Sequence, residues 1–223
     1  MYKLDRTAFS MGSHEQVERQ NQDYSNWEKS RNAYNNYEDY IVRNRKLFQK
    51  HTLTLIDLFY VKNFKGGSAV FGDSENSINQ KLKKYASVLD EIESRFGEKA
   101  NIKTLDDSQL SNLKSFGVEF ISLEDNIEFK IKGLSTSFCT TILHFHFPNL
   151  YPIMDRRVLI NSEIVTSKEK EVDTQGQVIK MKAYYERLID KVRDSDFKTI
   201  NDFDKHFFSL NTANDFKRES KKK

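Results

Sequence analysis

The chain has little of what breaks or staples a fold. It holds 2 Pro and 8 Gly in 223 residues, so long uninterrupted helices are open to it. The 1 Cys, Cys139, excludes an internal disulfide and any multi-cysteine zinc or iron–sulfur site. Its neighbours Phe138 and Ile142 mark it as a small buried hydrophobe rather than a nucleophile. No apolar run approaches the length of a membrane span, and the N-terminal MYKLDRTAF lacks the apolar stretch of a signal peptide. A soluble, cytoplasmic protein with no membrane partner is expected. Hydrophobic content is only 37%, yet 17 Phe, 10 Tyr and 1 Trp bury much area per residue, which predicts a real core under a charged surface. A net charge of +3 is too small to imply nucleic acid by itself.

What remains is mostly helical spacing. Ile78, Leu82, Tyr85, Leu89, Ile92 and Phe96 recur at three- and four-residue steps and predict an amphipathic helix ended by Gly97. Leu110, Leu113 and Phe116 predict a short helix after Ser108, stopped at Gly117. Met181, Tyr184, Tyr185, Leu188 and Val192 predict another, and Thr199 with Asp202 makes a capping-box pattern ahead of Phe203 and Phe207. Tyr37, Tyr40, Ile41, Asn44 and Phe48 suit a helix, as does Leu53 to Val61, whereas Phe64 to Asp73, FKGGSAVFGD, reads as a loop. Residues 165–180 are charged, with a turn at Gln175–Gly176, and read as a small β-hairpin or a mobile loop. The expectation is an all-α fold. A polar, partly ordered extension covers 1–35, a helical domain covers 36–212, and a basic flexible tail covers 213–223.

Two short pieces carry chemistry. The first is a hairpin-and-helix segment, 130–147. In GLSTSF, Gly133 permits a tight turn and Ser135 can cap the next helix, so that backbone N–H groups and a helix N-terminus face one anion. The plain alternative is an ordinary helical corner. The second piece is the loop 148–158. There YPIMDRRV delivers one acid, Asp155, after a Pro-stiffened stretch and ahead of Arg156 and Arg157. An Asp before a helix is commonly an N-cap, and a capping carboxylate is also a well-fixed one.

Taken together the pieces resemble the helix-hairpin-helix DNA glycosylase superfamily. Members carry an apolar–Pro–Gly–apolar–Gly hairpin, a helix, then Pro–apolar–apolar–Asp–x–x–Val. Here the corresponding residues are Ile131, Lys132, Gly133, Leu134 and Ser135, then Pro152 through Val158. Lys132 stands in place of the usual Pro and Ser135 in place of the second hairpin Gly, and the four-cysteine cluster of some members is missing. The match covers about 30 of the 223 residues.

The resemblance implies a bilobed fold and an enzyme that flips a damaged or modified base out of double-stranded DNA and hydrolyses its N-glycosidic bond. The sugar gains positive charge as the base leaves, and Asp155 would stabilise that charge and orient water. The lyase-competent members carry Lys where this chain has Ser137, so a monofunctional enzyme leaving an abasic site is implied. The implied DNA contacts are Lys130, Lys132, Gly133, Ser135, Ser137, Arg156 and Arg157, each with a solvated-surface or turn alternative. Phe71 could wedge into the base stack or line the pocket, against a plain role as a loop anchor. His144 and His146 stand at i and i+2, a poor spacing for metal ligands on a helix, so no metal is expected. Trp27 and the Tyr34, Tyr37, Tyr40 series point to packing. The resemblance further implies no cofactor beyond a monovalent cation at the hairpin, and a monomer. The substrate base is open, and includes hypermodified bases of phage DNA, which would make the enzyme one of antiviral defence. The alternative function is a non-catalytic DNA-binding helical protein, with Asp155 as a cap only.

Overall fold

A helix enclosed on every side lies at the centre of the chain. α5, Thr136–His146, has each residue from Cys139 to His146 buried, which is the pattern of a core helix rather than a surface one. It ends before Pro148, which has no N–H to donate to a further helical turn. The computed structural model describes residues 14–65, 69–165 and 178–209. Among these there are helices and turns but no β-strand, as the spacing predicts. In chain order the helices are α1 (His14–Phe48), α2 (Leu55–Lys65), α3 (Glu75–Phe96), α4 (Asp107–Ser122), α5, α6 (Arg156–Asn161), α7 (Tyr185–Asp194) and α8 (Ile200–Ser209). Short 3-10 turns lie at Ile102–Thr104 and Met181–Tyr184. α1, α2 and α4 pack on α5, α3 and α7 pack on α4, and α6 pairs with α8. No helix among the described residues is long and apolar enough to cross a membrane.

Several elements follow directly from their sequence. The α3 stripe of Ile78, Leu82, Tyr85, Leu89 and Ile92 is buried as spaced. Ser74 caps its start by accepting the Ser77 N–H at 3.4 Å, and Gly97, at φ +74°, ends it. Tyr34, Tyr37 and Tyr40 of α1 are packing residues: Tyr37 stacks on Tyr60 at 5.3 Å and donates its hydroxyl to Asp57 at 3.2 Å. At α8 the Asp202 N–H donates to the Thr199 hydroxyl at 3.0 Å, and that hydroxyl donates on to the Asp202 carboxylate at 2.8 Å.

Others differ from expectation, for physical reasons. α4 is capped by Asp106 rather than Ser108, because Asp106 and Gln109 form the reciprocal box. It also runs through Gly117 instead of stopping there. A Cβ at Gly117 would stand 2.9 Å from a Tyr185 ring carbon and 3.0 Å from one of Tyr151. Gly117 therefore marks a close crossing of two buried tyrosines, not a helix end. Phe64 and Lys65 belong to α2, not to the loop that follows. α1 crosses residue 35 without a break. His144 and His146 are both buried, in keeping with a structural role. The β-hairpin or loop expected at 165–180 falls largely on residues 166–177, outside the described residues. The same holds for 1–13, for the basic tail and for the ring of Trp27.

Gly117→Val places two methyl groups against rings that have nowhere to move. A loss of about 2 to 3 kcal/mol of stability is expected, read as a lowered melting temperature, and an unchanged melting temperature would contradict the close crossing.

Candidate functional site

The acid loop, 148–155, owes its shape to groups on three helices. The Tyr151 hydroxyl donates to the Leu113 carbonyl of α4 at 3.0 Å. The His144 Nδ1–H of α5 donates to the Tyr151 carbonyl at 2.8 Å. His144 is fully buried, and burial lowers its pKa, which suits a neutral ring fixed by that bond. The Met154 N–H donates to the Thr140 hydroxyl of α5 at 3.0 Å. The Ile153 N–H donates to Asp204 Oδ2 of α8 at 3.2 Å. Buried Pro152 and half-buried Pro148 remove two N–H groups that would otherwise need partners.

Asp155 follows in extended conformation, at φ −123° and ψ 147°, as the N-cap of α6. Its Oδ1 accepts the Arg157 N–H at 2.9 Å, and its Oδ2 lies 3.2 Å from Lys65 Nζ at the end of α2. The capping bond contributes about 1 kcal/mol. The ion pair is more enclosed than a surface one, with side-chain exposures of 14% for Lys65 and 24% for Asp155. Asp155 is thus well fixed and still reachable. It lines an open pocket of about 360 Å³ with Ser137, Arg156, Arg157, Met181 and Phe208. The Arg157 guanidinium lies over the Phe208 ring, 4.9 Å from its centroid.

Of the residues singled out from the sequence, this pocket collects Ser137, Asp155, Arg156 and Arg157. It does not collect Lys130, Lys132, Gly133, Ser135 or Phe71. The expected pair of short helices around the hairpin is not formed: from Ser122 to Thr136 the chain runs through turns, and only the helix after Gly133 is present. Ser135 occupies the cap position of α5 but makes no side-chain cap bond. Thr136 instead donates its hydroxyl to the Glu124 carboxylate. The Gly133 corner is clasped by the chain's own segment 70–73. The Gly72 N–H donates to the Lys132 carbonyl at 3.2 Å, and Lys81 Nζ reaches both Asp73 Oδ2 at 2.9 Å and the Lys130 carbonyl at 2.6 Å. At φ +94°, Gly133 leaves no room for a side chain, since a Cβ would stand 2.2 Å from the Val70 carbonyl oxygen. Phe71 meets Phe59 at 6.3 Å and Phe138 at 6.1 Å, both edge-on, so it anchors this segment rather than entering the pocket.

Three site residues escape the sequence reading: Lys65, Thr140 and Asp204. Asp204 is the most unusual of them. Its Oδ2 holds Ile153, while its Oδ1 is enclosed with no hydrogen-bond partner. Burial pushes its carboxyl up to about 7, against the downward pull of the Ile153 N–H and of Lys65. A signal was present: Ile200, Phe203 and Phe207 form the apolar stripe of α8, and Asp204 stands one turn from Ile200 on that stripe.

A different cluster offers metal-type donors. Ligand atoms of His51, Asp90 and Glu93 lie within 4.8 Å of one another. The two acids are already engaged: the His51 backbone N–H donates to Asp90 Oδ1 at 2.9 Å, and the Arg45 guanidinium sits on Glu93. His51 Nδ1 lies 2.8 Å from His146 Nδ1, and its Nε2 is 3.1 Å from Glu93 Oε2. The Arg45 guanidinium already lies against the Glu93 charge, whereas His51 Nε2, although close to Glu93, is enclosed without a hydrogen-bond partner. Comparison of the chain with family models, curated proteins and solved structures found no match.

Thr140→Val leaves the buried Met154 N–H without an acceptor, and a loss of about 1 to 3 kcal/mol is expected by chemical denaturation. The raised Asp204 carboxyl gives a pH signature as well. The folded chain keeps a proton there between pH about 4 and about 7, which the unfolded chain releases. That contribution to stability is complete below pH about 4 and is lost as pH rises through 7. Denaturation curves of Asp204→Asn should therefore lose less stability than wild type between pH 5 and 8; parallel losses would contradict the raised carboxyl.

Proposed function

We propose that the chain is a monofunctional DNA glycosylase, which hydrolyses the N-glycosidic bond of a base flipped out of double-stranded DNA and leaves an abasic site. The observation that carries the reading is the meeting of Ser137 and Asp155 in one open pocket with Arg156 and Arg157. The resemblance to the helix-hairpin-helix glycosylases assigns both Ser137 and Asp155 to the site, and both line this one pocket. In this reading Asp155 meets the cationic sugar and orients the attacking water. Lys65 neutralises Asp155 in the free protein. An incoming phosphate competes for that ammonium, and its success would turn the carboxylate toward the sugar.

Ser137 provides no amine for a Schiff base, which is the ground for hydrolysis without strand cleavage. The amine beside the acid is that of Lys65, not of Lys130 or Lys132. Borohydride trapping on an abasic duplex would report any covalent contribution from it.

A second reading, a DNA-binding protein without catalysis, is favoured by one feature. Both Asp155 oxygens are already occupied, one as the α6 cap and the other by Lys65. Asp155→Asn separates the two. Asn is as good an N-cap as Asp, so α6 should survive the change. For the enzyme, single-turnover base release should fall by about 100-fold or more while duplex affinity changes little. The substrates are a panel of duplexes bearing oxidised, alkylated, deaminated, mispaired and hypermodified phage-type bases, scored for abasic sites. Salt-dependent binding by wild type and variant alike, with no abasic sites on any duplex, would favour the binding-only protein.

A further inference from the structure

We propose that Asp204 is the positioning residue of the acid loop and the second carboxyl of the Asp155 site, gripping the loop through the Ile153 amide and sharing Lys65 with Asp155. Its grip on the loop and its enclosed Oδ1 stand on geometry, its link to Lys65 and Asp155 on their opposite pulls on its charge; only its effect on base release rests on the glycosylase reading.

Asp204 comes from α8 and Thr140 from α5, so the loop is held by two helices at adjacent amides, Ile153 and Met154. Lys65 and Asp155 act on the Asp204 carboxyl in opposite senses, the ammonium favouring its charge and the carboxylate opposing it. Tyr34 of α1 and Tyr185 of α7 are the other titratable groups that feel its charge, while Arg156 and Arg157 stand on α6, the helix packed against α8. His144 of α5 and Tyr34 bond the Asn201 side chain, at the start of the same helix. Two carboxylates beside a single ammonium cannot both ionise cheaply where water is excluded. The enclosed and partnerless Oδ1 makes Asp204 the one that keeps its proton. The raised carboxyl described above agrees with that choice.

The consequence is a site whose charge balance depends on one buried proton. With Asp204 neutral, Lys65 balances Asp155. When Asp204 ionises, it competes for Lys65 and adds a negative charge where DNA phosphates must approach. Base release at limiting DNA should then fall on the alkaline side of neutrality, and Asp204→Asn, which cannot ionise, should hold its rate there.

The direct test is carboxyl carbon NMR of the full chain through a pH titration, on wild type, Asp155→Asn and Lys65→Met. The Asp204 signal should titrate near neutrality, with its midpoint lowered in Asp155→Asn and raised in Lys65→Met. A midpoint in the ordinary aspartate range, or one unmoved in both variants, overturns the proposal. Amide exchange at Ile153 reads the grip separately: it should quicken in Asp204→Ala, which has no acceptor, and recover in Asp204→Asn. Equal protection in all three proteins also overturns the proposal. If these shifts are seen but no duplex yields abasic sites, the glycosylase reading fails and the Asp204 assignment stands.

Discussion

One short stretch of backbone, Tyr151 to Asp155, is fastened to α4, α5 and α8, and the candidate site depends on that grip. A loop that presents a carboxylate usefully must keep it within a fraction of an ångström of one place, which its own few residues cannot do. Here the fastening comes from outside the loop. A buried histidine, a threonine hydroxyl and a half-buried carboxyl each take one backbone group, and two prolines remove N–H groups that would need partners. Because two of these partners sit on the enclosed α5 itself, moving the loop means disturbing the core.

The grip leaves Asp155 with competing employments: helix cap, counter-ion of Lys65 and wall of an open pocket. The first two are structural and would explain the residue fully. The third accounts for what they do not, namely why the acid stands at an opening beside Ser137 with Phe208 and an arginine across it. In the proposed function, an incoming phosphate flanked by Arg156 and Arg157 would compete with Asp155 for Lys65. The Gly133 corner contributes differently from what a phosphate clamp requires. Its carbonyls and one amide are taken by segment 70–73 and Lys81, so it braces the entry to α5.

The all-α class was legible because spacing sets helices. The α3 stripe, the cap at Ser74, the stop at Gly97 and the Thr199 box all obey local rules that need no knowledge of neighbours. Gly117 was misleading for the opposite reason: its role is set by two tyrosines far away in sequence, and a glycine that ends a helix looks the same as one that admits a ring. Of the site, the acid and Ser137 were legible through their spacing across α5. Lys65, Thr140 and Asp204 were not, since each is defined by a partner 14 to 90 residues distant. Only Asp204 left a trace, as a charge on an apolar stripe.

The account's central claim, that Asp155 is placed to meet positive charge on a sugar, can be tested without knowing the base. Duplexes carrying either a cationic pyrrolidine or a neutral tetrahydrofuran at an abasic position differ by that charge alone. Wild type should bind the cationic duplex about 100-fold more tightly or better, as transition-state mimics bind, and Asp155→Asn should lose the preference. Equal affinity of wild type for the two duplexes would contradict the claim.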